Sequence, residues 1–270
     1  MIYEKIRLDE NDETVFLEVY APDKIDGFTR DAILVIPGGA YAQVCHDREG
    51  EPIAMAFLPY GFASFVLHYS VKEECVFPMQ LIQASKAMKH IRDNAEKYGI
   101  NPERVFAVGF SAGGHLAGSL GNLWNLEEVT KAVGGELGCN KPTGTMLIYP
   151  VVSGDEKFSH LWTLRNLFGV EEPTKEMRHQ FSLDKHIGEH SSPAFIFHTV
   201  ADQSVNVENS ISLISAYNKA GVMYEAHIFP NGPHGMALAN EITEIGNPEY
   251  VDEAMSKWIE LAVLWSKKIK

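Results

Sequence analysis

Gly109-Phe110-Ser111-Ala112-Gly113 is the part of this sequence best suited to do chemistry. A serine hydroxyl becomes a nucleophile when it projects from a sharp strand-to-helix turn, and that turn leaves little room for side chains two residues either side. Gly109 and Gly113 supply the room. The apolar run Val105-Phe106-Ala107-Val108-Gly109 precedes the serine, and Ala112, Leu116, Leu120 and Leu123 follow at helical spacing. A helix starting there offers the N–H of Ala112, with the positive end of its dipole, to an oxyanion. A Gly-rich turn whose serine merely caps a helix would look the same locally, so the reading depends on further parts.

A second oxyanion donor needs a glycine loop after an earlier strand. Ile36-Pro37-Gly38-Gly39-Ala40-Tyr41 is placed for that. Gly39 and Ala40 are the candidate donors, Gly38 is an alternative one residue away, and Tyr41 borders the pocket as a substrate contact. A general base must be a histidine downstream, oriented by an acid. Of eleven histidines, His234 alone lies in a Gly/Pro-rich loop (PNGPHG) after the last strand-like stretch. Asp202 directly follows the apolar run Ala194–His198, at the carboxyl end of a strand, where open α/β sheets place their sites. His115 reads as helix packing, and His68 and His198 as core histidines within strands. Arg48 and Glu51 read as a surface ion pair more readily than as pocket lining.

The elements that would position these residues follow an α/β pattern. Ala32–Ile36, Phe62–Tyr69, Val105–Gly109, Thr145–Tyr149 and Ala194–His198 are short apolar runs suited to strands buried on both faces. Leu81, Ala84, Met88, Ile91, Ala95 and Tyr98 predict a helix, with Pro78 near its start and Gly99 past its end. Further helices are expected over 206–220 and 248–270. The first 25 residues alternate apolar and polar, as an antiparallel hairpin at the sheet edge does. Gly121–Pro142 reads as an irregular helix extension and loop. Residues 153–193 are too long for an ordinary connection and read as a small helical insertion, either a lid over a pocket or surface decoration, with Trp162 and Phe168 packing it onto the body. The expectation is a single α/β domain over 1–270, with a mostly parallel sheet covered by helices on both faces.

Composition narrows the partners. Hydrophobic residues at 45% and charged ones at 22% are ordinary for a globular protein. A net charge of −13 argues against nucleic acid and anionic membrane as partners, and no apolar run reaches the roughly 20 residues of a membrane span. The first residues show neither a basic flank nor an apolar core of a secretory signal. Cys45, Cys75 and Cys139 form no CxxC pair, so reduced thiols in the cytoplasm are expected. No HExxH or cysteine cluster points to a metal, and no GxGxxG follows a strand, so no metal or cofactor is expected.

The order Ser111, Asp202, His234 with GFSAGG resembles the α/β-hydrolase fold. PGGAY followed by REGEP and GFASFVLHYS, then INPERVFAVGFSAGGHLA and SSPAFIFHTVADQSVNVENS, is similar to its small esterase/lipase branch, which includes acetyl esterases of acetylated sugars and xylan. The likeness runs over roughly residues 14–265. It departs where related lipases often have His-Gly-Gly-Gly and this chain has Pro37-Gly38-Gly39-Ala40. The resemblance implies a serine-dependent carboxylic-ester hydrolase with a catalytic triad of Ser111, Asp202 and His234, acting on short acyl esters of sugars or xylo-oligosaccharides. Its expected partner is a small-molecule ester, and self-association is left open. Relatives with a xylanase name do not change this, because a glycosidase needs two opposed carboxylates and the signal here is Ser-His-Asp. A peptidase or lactone hydrolase using the same residues is the alternative, and a non-catalytic binding protein would be expected to have lost one of them.

Overall fold

Runs such as Ala32–Ile36 and Val105–Gly109 carry no polar face, so each strand needs apolar cover on both sides. The structure, a computed structural model, describes residues 1–71, 73 and 75–269. Among the described residues there are eight strands: β1 (Ile2–Arg7), β2 (Phe16–Ala21), β3 (Arg30–Ile36), β4 (Ala63–His68), β5 (Ile100–Phe110), β6 (Thr145–Ile148), β7 (Ala194–Thr199) and β8 (Tyr224–Phe229). They form one sheet in the order β1-β2-β4-β3-β5-β6-β7-β8. β1 pairs antiparallel with β2, and β2 with β4; every later pairing is parallel, with Ile36 opposite Gly109. The expected hairpin is therefore the sheet edge.

The helices are α1 (His46–Glu49), α2 (Glu51–Phe57), α3 (Met79–Asp93), α4 (Ala95–Tyr98), α5 (Ala112–Asn122), α6 (Glu127–Val133), α7 (Leu161–Phe168), α8 (Lys175–Phe181), α9 (Glu208–Ala220) and α10 (Trp258–Ser266). Alternate strand residues face opposite layers. Leu34, Ile36 and Ala107 join one core with Met88 of α3, Leu116 of α5 and Leu213 of α9. Ile33, Val35, Phe106 and Val108 join the other with Phe57 of α2 and Trp258 and Trp265 of α10. Among the described residues, no helix is long and apolar enough to cross a membrane.

Three segments differ from the sequence expectation. The helix through Tyr98 breaks at Asn94, whose backbone and side-chain nitrogens both donate to the His90 carbonyl, the local competition that makes Asn a poor interior helix residue. The segment 248–270 is not one helix: two short turns precede α10, and the Asp252 carboxylate accepts from Met255 N–H at 2.9 Å, restarting the chain there; Lys270 lies outside the described residues. The insertion is helical, as α7 and α8, and buries Thr163, Leu164 and Leu167. Phe168 packs on Phe77, but Trp162, expected to pack as well, is 56% exposed.

Candidate active site

β5 ends at Phe110 and α5 begins at Ala112, so Ser111 alone makes the turn between them. Its φ of 53° and ψ of −118° are strained for a residue with a Cβ. The surroundings hold it there: Ser111 N–H donates to Ile148, and its carbonyl accepts from His115 and Val151, each at 3.1 Å. A Cβ on Gly109 would collide with the Gly113 carbonyl, and one on Gly113 with the carbonyls of Ile36 and Pro37. The spacing of the two glycines is thus a packing requirement of the turn.

The loops after β7 and β8 bring Asp202 and His234 to the same end of the sheet. Ser111 Oγ lies 2.9 Å from His234 Nε2, and His234 Nδ1 lies 2.6 Å from Asp202 Oδ2. Asp202 is 5% exposed, and burial by itself would raise its carboxyl. Hydrogen bonds from His198 and His234 outweigh that and, with the backbone N–H of Val205, hold it well below the usual carboxylate range. As an ionised acceptor it accepts a hydrogen bond from Nδ1–H of His234, which keeps that proton on Nδ1 and leaves Nε2 to accept from the serine. His198, read from the sequence as a core histidine, is fully buried and does more than fill space. Its Nε2 lies 3.2 Å from Asp202 Oδ2 and 3.0 Å from the Val205 carbonyl, and Nδ1 lies 2.7 Å from Ser210 Oγ. Only acceptors face Nε2, so it carries the proton and fixes Asp202 from behind.

The loop after β3 takes positive φ at Gly39 (124°), Ala40 (56°) and Tyr41 (56°). Gly38 N–H donates to Glu49 Oε2 at 2.8 Å, so it is not free to face a ligand. Among the described residues, the N–H groups of Gly39 and Ala40 meet no acceptor, and Ala112 N–H belongs to the first turn of α5, whose donors lack intrahelical partners. Tyr41 is 3% exposed and its hydroxyl lies 2.9 Å from His115 Nδ1, while His115 Nε2 lies 2.9 Å from the Phe181 carbonyl. His115 is therefore neutral, donating through Nε2 and accepting from Tyr41, and burial pushes its imidazole down to about 4. Tyr41 shares the wall of a cleft with Ala42 and Asn166, but its hydroxyl braces the loop instead of facing a ligand. Asn166 of α7 donates to the Ala40 carbonyl at 2.8 Å, so the insertion grips this loop from above.

Sequence reasoning missed Glu49, His198 and Asn166 in these roles. Glu49 is 2% exposed and also accepts from Tyr149 Oη at 2.9 Å, while that hydroxyl accepts from Ala237 N–H at 3.0 Å. The expected Arg48–Glu51 pair does not form: Arg48 reaches the Gly235 carbonyl at 3.3 Å, beside His234, and Glu51 is exposed. A neighbouring cleft of about 690 Å³ is lined by Ala201, Gln203, Ser204, Asn231, Gly232, Pro233, His234, Glu249 and Tyr250, a mostly apolar surface next to the imidazole that carries several polar side chains.

Comparison with known proteins agrees with this architecture. The chain is 35% identical over 219 residues to endo-1,4-beta-xylanase B of Butyrivibrio fibrisolvens, covering 80% of this chain and 34% of that protein. It is 31% identical over 211 residues to an acetylxylan esterase of Xylanibacter ruminicola, covering 77% of this chain and 41% of the other. It thus spans only about two fifths or less of the length of these curated relatives. Over nearly full length on both sides, 98% and 96%, it superposes with a TM-score of 0.82 and 30% identity on an acetyl ester-xyloside bifunctional hydrolase from Caldicellulosiruptor lactoaceticus. The family model described as BD-FAE matches residues 17–217. With the sheet, the serine turn and this match in place, the chain belongs to the BD-FAE family of α/β-hydrolases.

Proposed function

We propose that this protein is a carboxylic-ester hydrolase with Ser111 as nucleophile, His234 as general base and Asp202 as the group that orients it. The observation that carries this reading is the continuous hydrogen-bonded chain Ser111–His234–Asp202. Ser111 Oγ attacks the ester carbonyl carbon as its proton passes to His234 Nε2, and Asp202 stabilises the imidazolium. The oxyanion is received by N–H groups of Ala112 and of the Gly39–Ala40 loop. Collapse of the tetrahedral intermediate expels the alcohol, which takes the proton from His234. Water, deprotonated by the same imidazole, then attacks the acyl-enzyme and releases the acid.

The alcohol is a sugar and the acyl group short. Supporting this are the hydrogen-bonding side chains of Gln203, Ser204 and Asn231 in the cleft beside His234 and the likeness to proteins named for acetylxylan and acetyl ester-xyloside hydrolysis. Glycoside cleavage fits the site less well. Both oxygens of Asp202 are occupied by donors, so it is not free to act as one of two opposed carboxylates. The test is acetate release from acetylated xylobiose beside hydrolysis of matched acetyl and octanoyl nitrophenyl esters. The acetyl ester is expected to lead by roughly tenfold in kcat/KM. Faster octanoyl turnover, or no acetate from any sugar ester, overturns the substrate assignment; failure of a fluorophosphonate probe to label Ser111 overturns the mechanism.

A further inference from the structure

We propose that Glu18, His46 and His68 form a binding site for one divalent transition-metal ion of the zinc type. The three residues come from β2, α1 and β4, and one donor atom from each lies within 4.8 Å of the others. Two imidazoles and a carboxylate are a donor set that zinc favours, leaving a fourth position for water.

Part of the cluster is explained without a metal. The Glu18 carboxylate, 4% exposed, accepts from Lys5 Nζ on Oε1 at 2.7 Å and from His46 Nε2 on Oε2 at 2.6 Å. His68 is not explained in this way. Its Nε2 is buried without a hydrogen-bond partner and lies 3.5 Å from Glu18 Oε2, a long approach for a hydrogen bond. It is close to the separation of two ligands on one tetrahedral zinc, about 3.4 Å for bonds of about 2.05 Å. Its ring is held in place, stacked on Phe16 at 4.0 Å between centroids and facing His46 at 4.6 Å.

For the ion to enter, His46 carries its proton on Nδ1 instead of Nε2, and its ring recedes by about 0.8 Å to reach ligand spacing. No net proton is gained or lost in that change. A surface cleft of about 570 Å³, lined by Thr14, Phe16, Val44 and His68, opens beside one of the three ligands, and the His46 side chain is 28% exposed. The bound ion would tie the start of α1, directly after the glycine loop, to β2 and β4.

Chelator-stripped protein is titrated calorimetrically with Zn²⁺. One equivalent is expected to bind with micromolar or tighter affinity, and excess Zn²⁺ to raise the Tm by several degrees because it binds only the folded chain. His46→Gln and His68→Gln are each expected to weaken binding by roughly tenfold or more, whereas His234→Ala leaves it unchanged. Lys5→Met removes a positive charge beside the site and is expected to tighten binding about threefold, a gain that misfolding cannot produce. No saturable equivalent, a site that survives both histidine substitutions, loss in His234→Ala, or no gain in Lys5→Met overturns the proposal.

Discussion

Four donors converge on the two oxygens of Asp202: His198 and His234 on Oδ2, and the N–H groups of Ser204 and Val205 on Oδ1. That saturation keeps a buried carboxylate charged and aims the imidazole at Ser111. Replacing Ser111 by Ala is expected to lower ester turnover by about 10³ or more, with thermal stability little changed, because alanine keeps the same Cβ and turn and gives up only the hydroxyl's contact with His234. Nitrophenyl acetate kinetics and a thermal melt check both; turnover within tenfold of the parent would count against the nucleophile. His115 gives a pH signature separate from chemistry. Its imidazole is pushed down to about 4 in the folded protein, from 6.5. The unfolded chain therefore takes up the proton first as pH falls. Its contribution is full above about 6.5, declines as pH falls, and is lost by about 4, on the order of 3 kcal/mol. Urea unfolding at about pH 7.5 and about pH 4 should show that loss, and His115→Gln should remove that part of the difference between the two pH values while lowering stability at neutral pH.

The insertion acts at the scale of elements. Asn166 of α7 and Phe181 of α8 both reach the glycine loop, the first through the Ala40 carbonyl and the second through His115 and Tyr41. The insertion is therefore a brace on the loop that presents the Gly39 and Ala40 N–H groups. Asn166→Ala is expected to lower kcat roughly tenfold with little change in KM, since misplacing an oxyanion donor acts on the transition state. Asn166→Asp should not rescue it, because a carboxylate cannot donate to a carbonyl. A rise in KM at constant kcat would instead place Asn166 against the substrate. The other elements divide by how local their causes are. The edge hairpin and buried strands were legible as periods of two and as continuous apolar runs. The breaks at Asn94 and before α10 were not, because single side chains there capture backbone groups against the trend of the segment.

For the whole molecule, the net charge of −13 sets a field that repels anionic substrates and that salt screens. Hydrolysis of an ester bearing a free carboxylate should rise about threefold in kcat/KM between about 20 mM and about 300 mM salt, while a neutral ester of the same size stays level. Identical salt responses would mean that the field does not reach the cleft. The fold class and the candidate triad could be read in one dimension because each rests on a local rule. Gly109 and Gly113 must be glycine for the turn at Ser111 to close, and Asp202 and His234 follow strand ends in the order expected of the fold. Glu49 meets Tyr149 across 100 residues and Asn166 meets Ala40 across 126. Glu18, His46 and His68 likewise meet only because β4 lies between β2 and β3. Such pairings leave no periodicity or motif in the chain, since they arise from strand order and helix packing. They came into view only once the sheet had brought distant loops to one end.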